Sequence, residues 1–271
     1  MVKFITINNE KTPVPDLPES DDPIIIGADG DKMRKTLNNT GYMVSKLDPY
    51  SLEFVEFSSK TTGKAMDIGA CYGIATLAAL DAGAKSIITT DNEPRHLEIL
   101  RSQVKAEDQA KVQYVIGSFP NDLHFKKNSI AAILCSRVLH LLRPSEIDIA
   151  LKHIYDWLEP NGRAYIINDT PYVKFSEKSI TEFLPLHEKR KKAGDRWPGY
   201  ISNIKYYLPI EFHQRALASN YATFMDVDTI GAACKRVGFD IIKAEFIPRP
   251  DYPAELLNNG KENAGIIVTK I

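Results

Sequence analysis

The chain has 271 residues, with 34 lysines and arginines against 35 aspartates and glutamates. This length suffices for one large domain with a substantial core, and the balanced charge excludes an overall field that would attract nucleic acid. Cys71, Cys135 and Cys234 are widely spaced and indicate neither a zinc site nor a disulfide framework. The sequence has no apolar run of about 18 residues and no secretory signal pattern. We therefore expect a cytoplasmic protein that neither binds a metal nor crosses a membrane.

The predicted elements begin with a proline-rich stretch, which indicates an extended arm over residues 1–30. Mixed apolar and charged positions over residues 31–60 predict one or two short cap helices. From residue 64 onward, apolar runs alternate with helical patterns, which predicts an α/β fold with a doubly wound, mostly parallel sheet. The predicted strands are 64–68, 86–90, 112–116, 130–135, 163–168, 239–246 and 264–271, and the predicted helices are 74–82, 94–106, 144–158 and 227–237.

A glycine-bracketed turn follows the first predicted core strand. The strand ends near Asp67, Gly69 and Gly73 bracket the turn, and a helical pattern follows directly. The next strand ends before Asp91, which could accept hydrogen bonds from both hydroxyls of a ribose. Strand, tight turn, helix, strand and acid in this order predict a Rossmann-type nucleotide site. Cys71 lies where a dinucleotide-binding turn needs its second glycine, which argues against NAD.

The run from Asp67 to Gly73 resembles the first motif of the class I S-adenosylmethionine-dependent methyltransferases, usually Asp-x-Gly-x-Gly-x-Gly, with Cys71 replacing the middle glycine. Later stretches resemble the same family in the expected order. Together the similar regions span about residues 64–170 and 226–271. The later stretches are Gly117–Phe119, Ser136–Leu142, Leu158–Arg163 and Val237–Phe239.

This resemblance implies a seven-stranded sheet in the order 3-2-1-4-5-7-6, with the last strand antiparallel. The core would comprise residues 61–172 and 226–271, and the cofactor would be S-adenosylmethionine, with S-adenosylhomocysteine as product. Ser118 stands where the family usually has an acid near the adenine. The implied cofactor-binding residues are Asp67, Gly69, Ala70, Gly73, Asp91, Asn92, Ser118, Phe119, Ser136 and Arg137.

An insertion over residues 173–225 separates the fifth strand from the next helix by more than an ordinary loop. Its aromatic residues and helical spacing predict a helical lid over the substrate, which the 31–60 segment would help to enclose. The basic run at 189–192 is typical of a solvated helix face, with contact to an anionic substrate as the alternative. The candidate substrate-pocket residues are Tyr42, Met43, Asp169, Tyr172, His187, Trp197, Tyr200, Tyr206 and Tyr207.

His140 is the candidate general base, because it follows the fourth strand and histidine is the commonest base in proteins. The alternative is that it only packs in the helical turn around it. The run from Asn168 to Tyr172 is similar to the Asn/Asp-Pro-Pro-Tyr motif of nucleic-acid and protein amino-methyltransferases. That motif follows strand 4, whereas this run follows strand 5 and has Thr170 in place of the first proline, so we treat the likeness as coincidental.

The sequence therefore predicts a methyltransferase that acts on a small molecule, with O- or N-methylation favoured over C-methylation. A lid-covered pocket suits a small acceptor, and the balanced charge argues against nucleic acid as a partner. Two alternatives stay open. One is a macromolecular methyltransferase acting on RNA or protein, and the other is a non-catalytic binding protein with the same fold. The oligomeric state stays undetermined.

Overall fold

The computed structural model describes residues 4–7, 10–13, 25–209 and 219–271. Strand β1 (Phe4–Ile7) pairs with antiparallel strand β2 (Glu10–Pro13). Strands β3 (Ile25–Ile26), β4 (Lys32–Lys35) and β5 (Tyr42–Val44) form a second small antiparallel sheet. The remainder of the expected arm over residues 1–30 falls largely outside the described residues.

The expectation of cap helices over residues 31–60 is wrong for residues 32–44, which form β4, β5 and their connection. Met33 and Val44 face each other in register and are both buried, so burial here follows the pairing of two strands. Asn39 adopts a left-handed conformation with φ of 57° and turns the chain between the strands. Helix α1 (Pro49–Lys60) is the one helix of this segment.

The core is a seven-stranded sheet. Its strands are β6 (Ala65–Ile68), β7 (Ile87–Asp91), β8 (Val112–Ile116), β9 (Ile130–Ser136), β10 (Leu158–Asp169), β13 (Asp240–Ile247) and β14 (Asn263–Thr269). The spatial order is β8-β7-β6-β9-β10-β14-β13. Only β14 runs antiparallel to its neighbours β10 and β13 in this sheet of described strands. Numbered along the chain, this order is 3-2-1-4-5-7-6, so the predicted fold class is confirmed.

Helices cover both faces of the sheet. Helices α1, α2 (Ile74–Asp81) and α3 (Pro94–Gln103) pack on one face, and α4 (Pro144–Trp157) and α6 (Val227–Val237) pack on the other. Alternate residues of each strand enter opposite layers, because successive side chains of a strand point to opposite faces. In β9, for example, Ile133 and Cys135 join the α4 layer, whereas Leu134 joins the α1 layer.

The insertion between β10 and α6 is only partly helical. A turn of π-helix over Ser179–Phe183 leads into α5 (Leu184–Lys192), and the short strands β11 (Tyr200–Ile201) and β12 (Ala222–Thr223) pair with each other. Their apolar core is formed by Phe183, Ile201, Ile204, Ala222 and Phe224. Thr223 Oγ1 donates to the carbonyl of Leu142 at 2.7 Å and so ties the insertion to the loop after β9.

No helix among the described residues is long and apolar enough to cross a membrane. The same part of the chain contains no group of three or more histidine, cysteine, aspartate or glutamate side chains arranged to hold a metal ion.

Candidate functional site

A cavity of about 530 Å³ lies beyond the carboxyl ends of the core strands, at the switch point between the neighbouring strands β6 and β9. This edge is where open α/β sheets bind their ligands. The cavity brings together residues that the sequence predicted from separate motifs, although their roles stay predictions. The predicted residues that line it are Tyr42, Met43, Gly69, Asp91, Asn92, Ser118, Phe119, Ser136, Arg137, His140 and Asp169.

The turn after β6 requires left-handed backbone at three positions. Gly69, Cys71 and Gly73 have φ angles of 68°, 50° and 77°. A Cβ atom on Gly69 would lie 2.6 Å from a methyl of Val138, and one on Gly73 would lie 2.1 Å from a methyl of Leu100. Both glycines are therefore needed for close packing as well as for conformation. Cys71 has the same left-handed backbone with a side chain, which non-glycine residues adopt at a cost.

Asp67 does not line the cavity. Its Oδ2 accepts a hydrogen bond from Thr76 Oγ1 at 2.8 Å, and the side chain is buried. Burial raises its pKa to about 6, against the effect of the Thr76 hydrogen bond. Ala70 and Gly73 are also absent from the cavity wall. These three residues shape the turn, and their part in cofactor binding stays a prediction.

Asp91 does line the cavity, and protein donors already hold its carboxylate. Oδ2 accepts the backbone N–H of Cys71 at 2.8 Å, and Oδ1 accepts that of Glu93 at 2.9 Å. The imidazole Nδ1 of His96 lies 3.0 Å from Oδ1. The acid after β7 is thus fixed in position at the cavity wall.

The loop after β8 forms another part of the wall. The backbone N–H of Ser118 donates to the carboxylate of Asp122 at 3.0 Å, which fixes this loop. Phe119 packs against Trp157 with a centroid separation of 5.9 Å. Both Ser118 and Phe119 line the cavity, and their contact with the adenine stays a prediction.

Arg137 carries a positive charge at the cavity wall. Its backbone is left-handed, with φ of 57°, and its N–H donates to the carbonyl of Ile167 at 2.7 Å. Its guanidinium forms no hydrogen bond or ion pair with any described residue. Such strain persists only where the surroundings impose it, and here the bond from the Arg137 N–H to Ile167 holds the backbone in this conformation.

His140 and Asp169 face each other at the other end of the cavity. His140 lies in the helical turn Leu139–Leu141, and its Nε2 is 3.7 Å from Oδ2 of Asp169. Burial lowers the pKa of His140, and the charge of Asp169 opposes this shift. The Nδ1 atom of His140 is buried without a partner among the described residues.

Two side chains hold the carboxylate of Asp169. Its Oδ1 accepts the Tyr252 hydroxyl at 2.8 Å and the Asn263 amide at 2.7 Å. These bonds leave Oδ2 on the side of His140. The residues that hold Asp169 come from the segment before β14 and from its first residue, and they were not predicted, since nothing in their local pattern marks them.

The structure places six predicted substrate residues outside the cavity wall: Tyr172, His187, Trp197, Tyr200, Tyr206 and Tyr207. Most have other partners. Tyr172 donates to Glu188 at 3.2 Å, Tyr206 donates to Glu182 at 2.9 Å, and Tyr207 packs on Phe183. His187 is completely buried, with Nε2 3.6 Å from Asp226. Trp197 belongs to the core beside α4, and Tyr200 pairs with Thr223.

The insertion contacts the cavity through a different, mainly apolar set of residues. The sequence analysis chose mainly the large aromatic residues of the insertion. Several of these are packed within the insertion itself, so other side chains reach the cavity. The insertion residues at the wall are Val173, Phe175, Ile204, Leu208, Ser219, Tyr221, Ala222 and Phe224. The β4–β5 segment and the loop before β14 add Met33, Thr36, Asn38, Thr40, Gly41, Tyr252 and Leu256, of which none was predicted.

Residues 65–162 match the methyltransferase domain family. An uncharacterized methyltransferase of Schizosaccharomyces pombe is 27% identical over 152 residues, which cover 54% of this chain and 57% of that protein. The chain thus spans little more than half the length of this curated relative.

Solved structures share the fold at low sequence identity. An S-adenosylmethionine-dependent methyltransferase from Mesorhizobium loti has a TM-score of 0.57 and 15% identity, over 82% of this chain and 98% of that one. A protein from Listeria monocytogenes assigned to the same class has a TM-score of 0.56 and 15% identity, over the same shares of the two chains. These matches support the resemblance to class I methyltransferases seen in the sequence and S-adenosylmethionine as the expected methyl donor. Residues 65–162 form a methyltransferase domain, and the chain has the fold of the class I S-adenosylmethionine-dependent methyltransferases.

Proposed function

We propose that the protein transfers a methyl group from S-adenosylmethionine to a small-molecule acceptor. The observation that carries this proposal is one cavity that extends along the carboxyl edge of the sheet from Asp91, at the end of β7, to Asp169, at the end of β10. Arg137 and His140 both follow β9, which lies between these strands, and the charge of Arg137 adds to burial in lowering the pKa of His140. We further propose, as expected from the sequence, that the protein acts in the cytoplasm.

The residues present fit the cofactor. Asp91 offers a fixed carboxylate to a ribose, and the unpaired guanidinium of Arg137 matches the carboxylate of the methionyl group. Thr90 Oγ1 and Ser136 Oγ are buried at the cavity wall without a partner among the described residues. Buried polar atoms are rarely left unpaired in proteins, so these atoms support a polar ligand at this end. When bound, S-adenosylmethionine supplies a methyl group already activated by its positively charged sulfur.

The other end of the cavity is suited to an acceptor that loses a proton. The lowered pKa keeps His140 neutral at physiological pH, and a neutral imidazole can accept the proton that a hydroxyl or amine releases. The carboxylate of Asp169 stabilises the imidazolium that results. The ring of Phe224 lies nearly parallel to that of His140, at 6.4 Å between centroids, and packs on Phe175, so apolar side chains border this pair.

The walls of this end also favour a small acceptor over a polymer. They come from three separate segments: strands β4 and β5, through Met33 and Tyr42, the insertion, and the loop before β14. Two cations of the basic run in α5 are engaged within the protein: Lys191 pairs with Asp226 and Asp228, and Arg190 donates to the carbonyl of Tyr200 at 2.8 Å. Binding of nucleic acid would need clustered, available cations.

The proposal is tested by following a labelled methyl group. The protein is incubated with S-adenosylmethionine labelled on the methyl carbon and with a cell extract, and the products are divided by size. Label in the small-molecule fraction supports the proposal, with the Asp91→Ala variant, which should transfer less label at low S-adenosylmethionine concentration, as the control. Label in RNA or protein supports the macromolecular alternative. Binding of S-adenosylhomocysteine without any transfer supports the non-catalytic alternative, and the absence of binding overturns the cofactor assignment.

A further inference from the structure

The connection between β4 and β5 is hydrogen-bonded to the segment that follows Asp91, the acid proposed to bind the ribose. Its residues Thr36, Asn38 and Thr40 line the cavity, so this connection covers the cofactor end. Four hydrogen bonds dock this connection and Lys35, the last residue of β4. They run from Leu37 N to His96 Nε2 at 2.9 Å, from Tyr72 Oη to Lys35 O at 2.9 Å, from Asn38 Nδ2 to Asn92 Oδ1 at 2.9 Å, and from Arg95 Nη2 to Leu37 O at 3.2 Å.

The bond to His96 determines the tautomer of its imidazole. The backbone N–H of Leu37 can only donate, so Nε2 of His96 must accept and carries no proton. The proton therefore lies on Nδ1, which donates to Oδ1 of Asp91 at 3.0 Å. The ring is 1% exposed and packs edge-on against Tyr72, at a centroid separation of 5.1 Å. His96 is thus held in one orientation between Leu37 and Asp91.

This arrangement limits what Asp91 can accept from a ligand. A carboxylate has about four acceptor positions. Oδ1 uses two of them, for Glu93 and His96, and Oδ2 uses one for Cys71. One position on Oδ2 is left, so Asp91 can take one ribose hydroxyl in this conformation, not the two that the sequence predicts.

We infer that His96 is a positioning residue for the proposed ribose acid and that it couples cofactor binding to the docking of the β4–β5 connection. The inference rests on the proposed function, because it needs Asp91 to bind the ribose. His96 Nδ1 orients the carboxylate of Asp91. His96 Nε2 holds Leu37, and with it the β4–β5 connection over the cofactor end. A ligand that fixes the Asp91 carboxylate in position therefore also stabilises the docking of the β4–β5 connection.

Two substitutions separate these two bonds. In His96→Asn the side-chain amide lies near the position of Nδ1 and can still donate to Asp91, but it no longer reaches Leu37. In His96→Gln the amide lies near the position of Nε2, and its oxygen can still accept from Leu37, but the donor to Asp91 is lost. His96→Leu removes both bonds and keeps an apolar side chain of similar size.

The experiment measures the affinity for S-adenosylhomocysteine by calorimetry and the hydrogen exchange of residues 35–40 with and without this ligand. We expect the ligand to slow this exchange in the wild-type protein. His96→Gln should weaken binding roughly tenfold, as for a lost hydrogen bond to a charged group, and keep slow exchange that no longer responds to the ligand. His96→Asn should bind within about threefold of wild type and exchange rapidly in both states. His96→Leu should show both defects.

The outcomes distinguish this inference from the proposed function. If the wild-type protein binds no S-adenosylhomocysteine, the proposed function and this inference both fail. If it binds but His96→Asn and His96→Gln lose affinity and protection alike, His96 is merely structural and only the inference is overturned.

A measurement on the wild-type protein guards against variants that do not fold. The ¹⁵N spectrum of the imidazole should show His96 protonated on Nδ1 only, with both signals shifting when S-adenosylhomocysteine is added. A His96 signal protonated on Nε2, or one unchanged by bound ligand, would contradict the inference.

Discussion

Thr76 Oγ1 donates a hydrogen bond of 2.8 Å to Oδ2 of Asp67, and this bond assigns the two acids of the nucleotide motif to different tasks. Asp67 is buried under the turn and connects β6 to helix α2. Asp91, one strand away, faces the cavity and is held by backbone N–H groups of Cys71 and Glu93. Asp67 therefore stabilises the turn whose backbone N–H, at Cys71, holds the carboxylate of Asp91.

Replacement of Asp67 by asparagine should change the pH dependence of stability. The folded-state pKa of Asp67 is raised from 3.8 to about 6 by burial, so between these values the native state binds a proton that the unfolded state has lost. Its contribution to stability therefore falls as the pH rises through this window. An asparagine does not titrate. The free energy of unfolding of Asp67→Asn should therefore rise, relative to that of the wild-type protein, by about 2–3 kcal/mol as the pH is raised from ~4 to ~7. Urea unfolding at both pH values measures the gain, and a pH-independent difference would contradict the assignment.

Replacement of Arg137 by methionine should affect only ligands with a carboxylate. The guanidinium has no partner among the described residues, and a charge-assisted bond to a ligand contributes about 1.5–3 kcal/mol. Arg137→Met should weaken the binding of S-adenosylhomocysteine by roughly 10- to 100-fold. Methylthioadenosine, which lacks the amino-acid carboxylate, serves as the matched probe and should bind almost equally to both proteins. Equal losses for the two ligands would show that Arg137 shapes the cavity without binding the carboxylate.

Replacement of His140 by glutamine should slow methyl transfer and leave cofactor binding intact. General-base catalysis contributes about 10²- to 10⁴-fold, and the rate should fall by a factor in this range. Because burial lowers its pKa, His140 is unprotonated down to pH values below the ordinary histidine range. The kcat/KM of the wild-type enzyme should therefore fall only in that acidic range, and His140→Gln should lack this limb.

His153 offers a control for this experiment, because it lies on α4 beside His124 and Trp157, outside the cavity wall. His153→Gln should keep the wild-type rate and pH profile. An unchanged rate in His140→Gln would show that this histidine only packs in its helical turn.

The basic run of α5 should be dispensable for a small acceptor. Arg190 and Lys191 are engaged within the protein, whereas Lys189 and Lys192 lie on the same helix outside the cavity wall. A variant with Lys189→Glu and Lys192→Glu should methylate small molecules at the wild-type rate, with little dependence on salt. Loss of activity toward RNA or protein in this variant, with strong salt dependence in the wild-type protein, would favour the macromolecular alternative.

The fold could be predicted from the sequence because parallel core strands are buried on both faces. Ile130–Ser136 is almost entirely apolar, and composition alone predicts it to within one residue, as 130–135. The two strands at 32–35 and 42–44 could not be predicted in this way, because their pairing depends on a single inward pair, Met33 and Val44. Strand β10 begins at Leu158, ahead of the predicted start at Arg163, with an irregular register between the two positions.

The cofactor end of the site could be predicted better than the acceptor end. Its residues follow strand ends in a fixed order, and the turn from Gly69 to Gly73 is visible in the chain. The acceptor end is built from three segments that meet only after folding, so no local pattern distinguishes Phe224, which reaches the cavity, from Tyr206, which does not. Partners such as Tyr252 and Asn263 for Asp169 are 83 and 94 residues away along the chain.

The most direct test is a calorimetric titration of the wild-type protein and Asp91→Ala with S-adenosylhomocysteine. We predict micromolar binding by the wild-type protein and a loss of roughly 1–3 kcal/mol in the variant, since a hydrogen bond to a charged group is removed. No binding by the wild-type protein, or equal affinity of the two proteins, would contradict the assignment of this cavity to S-adenosylmethionine.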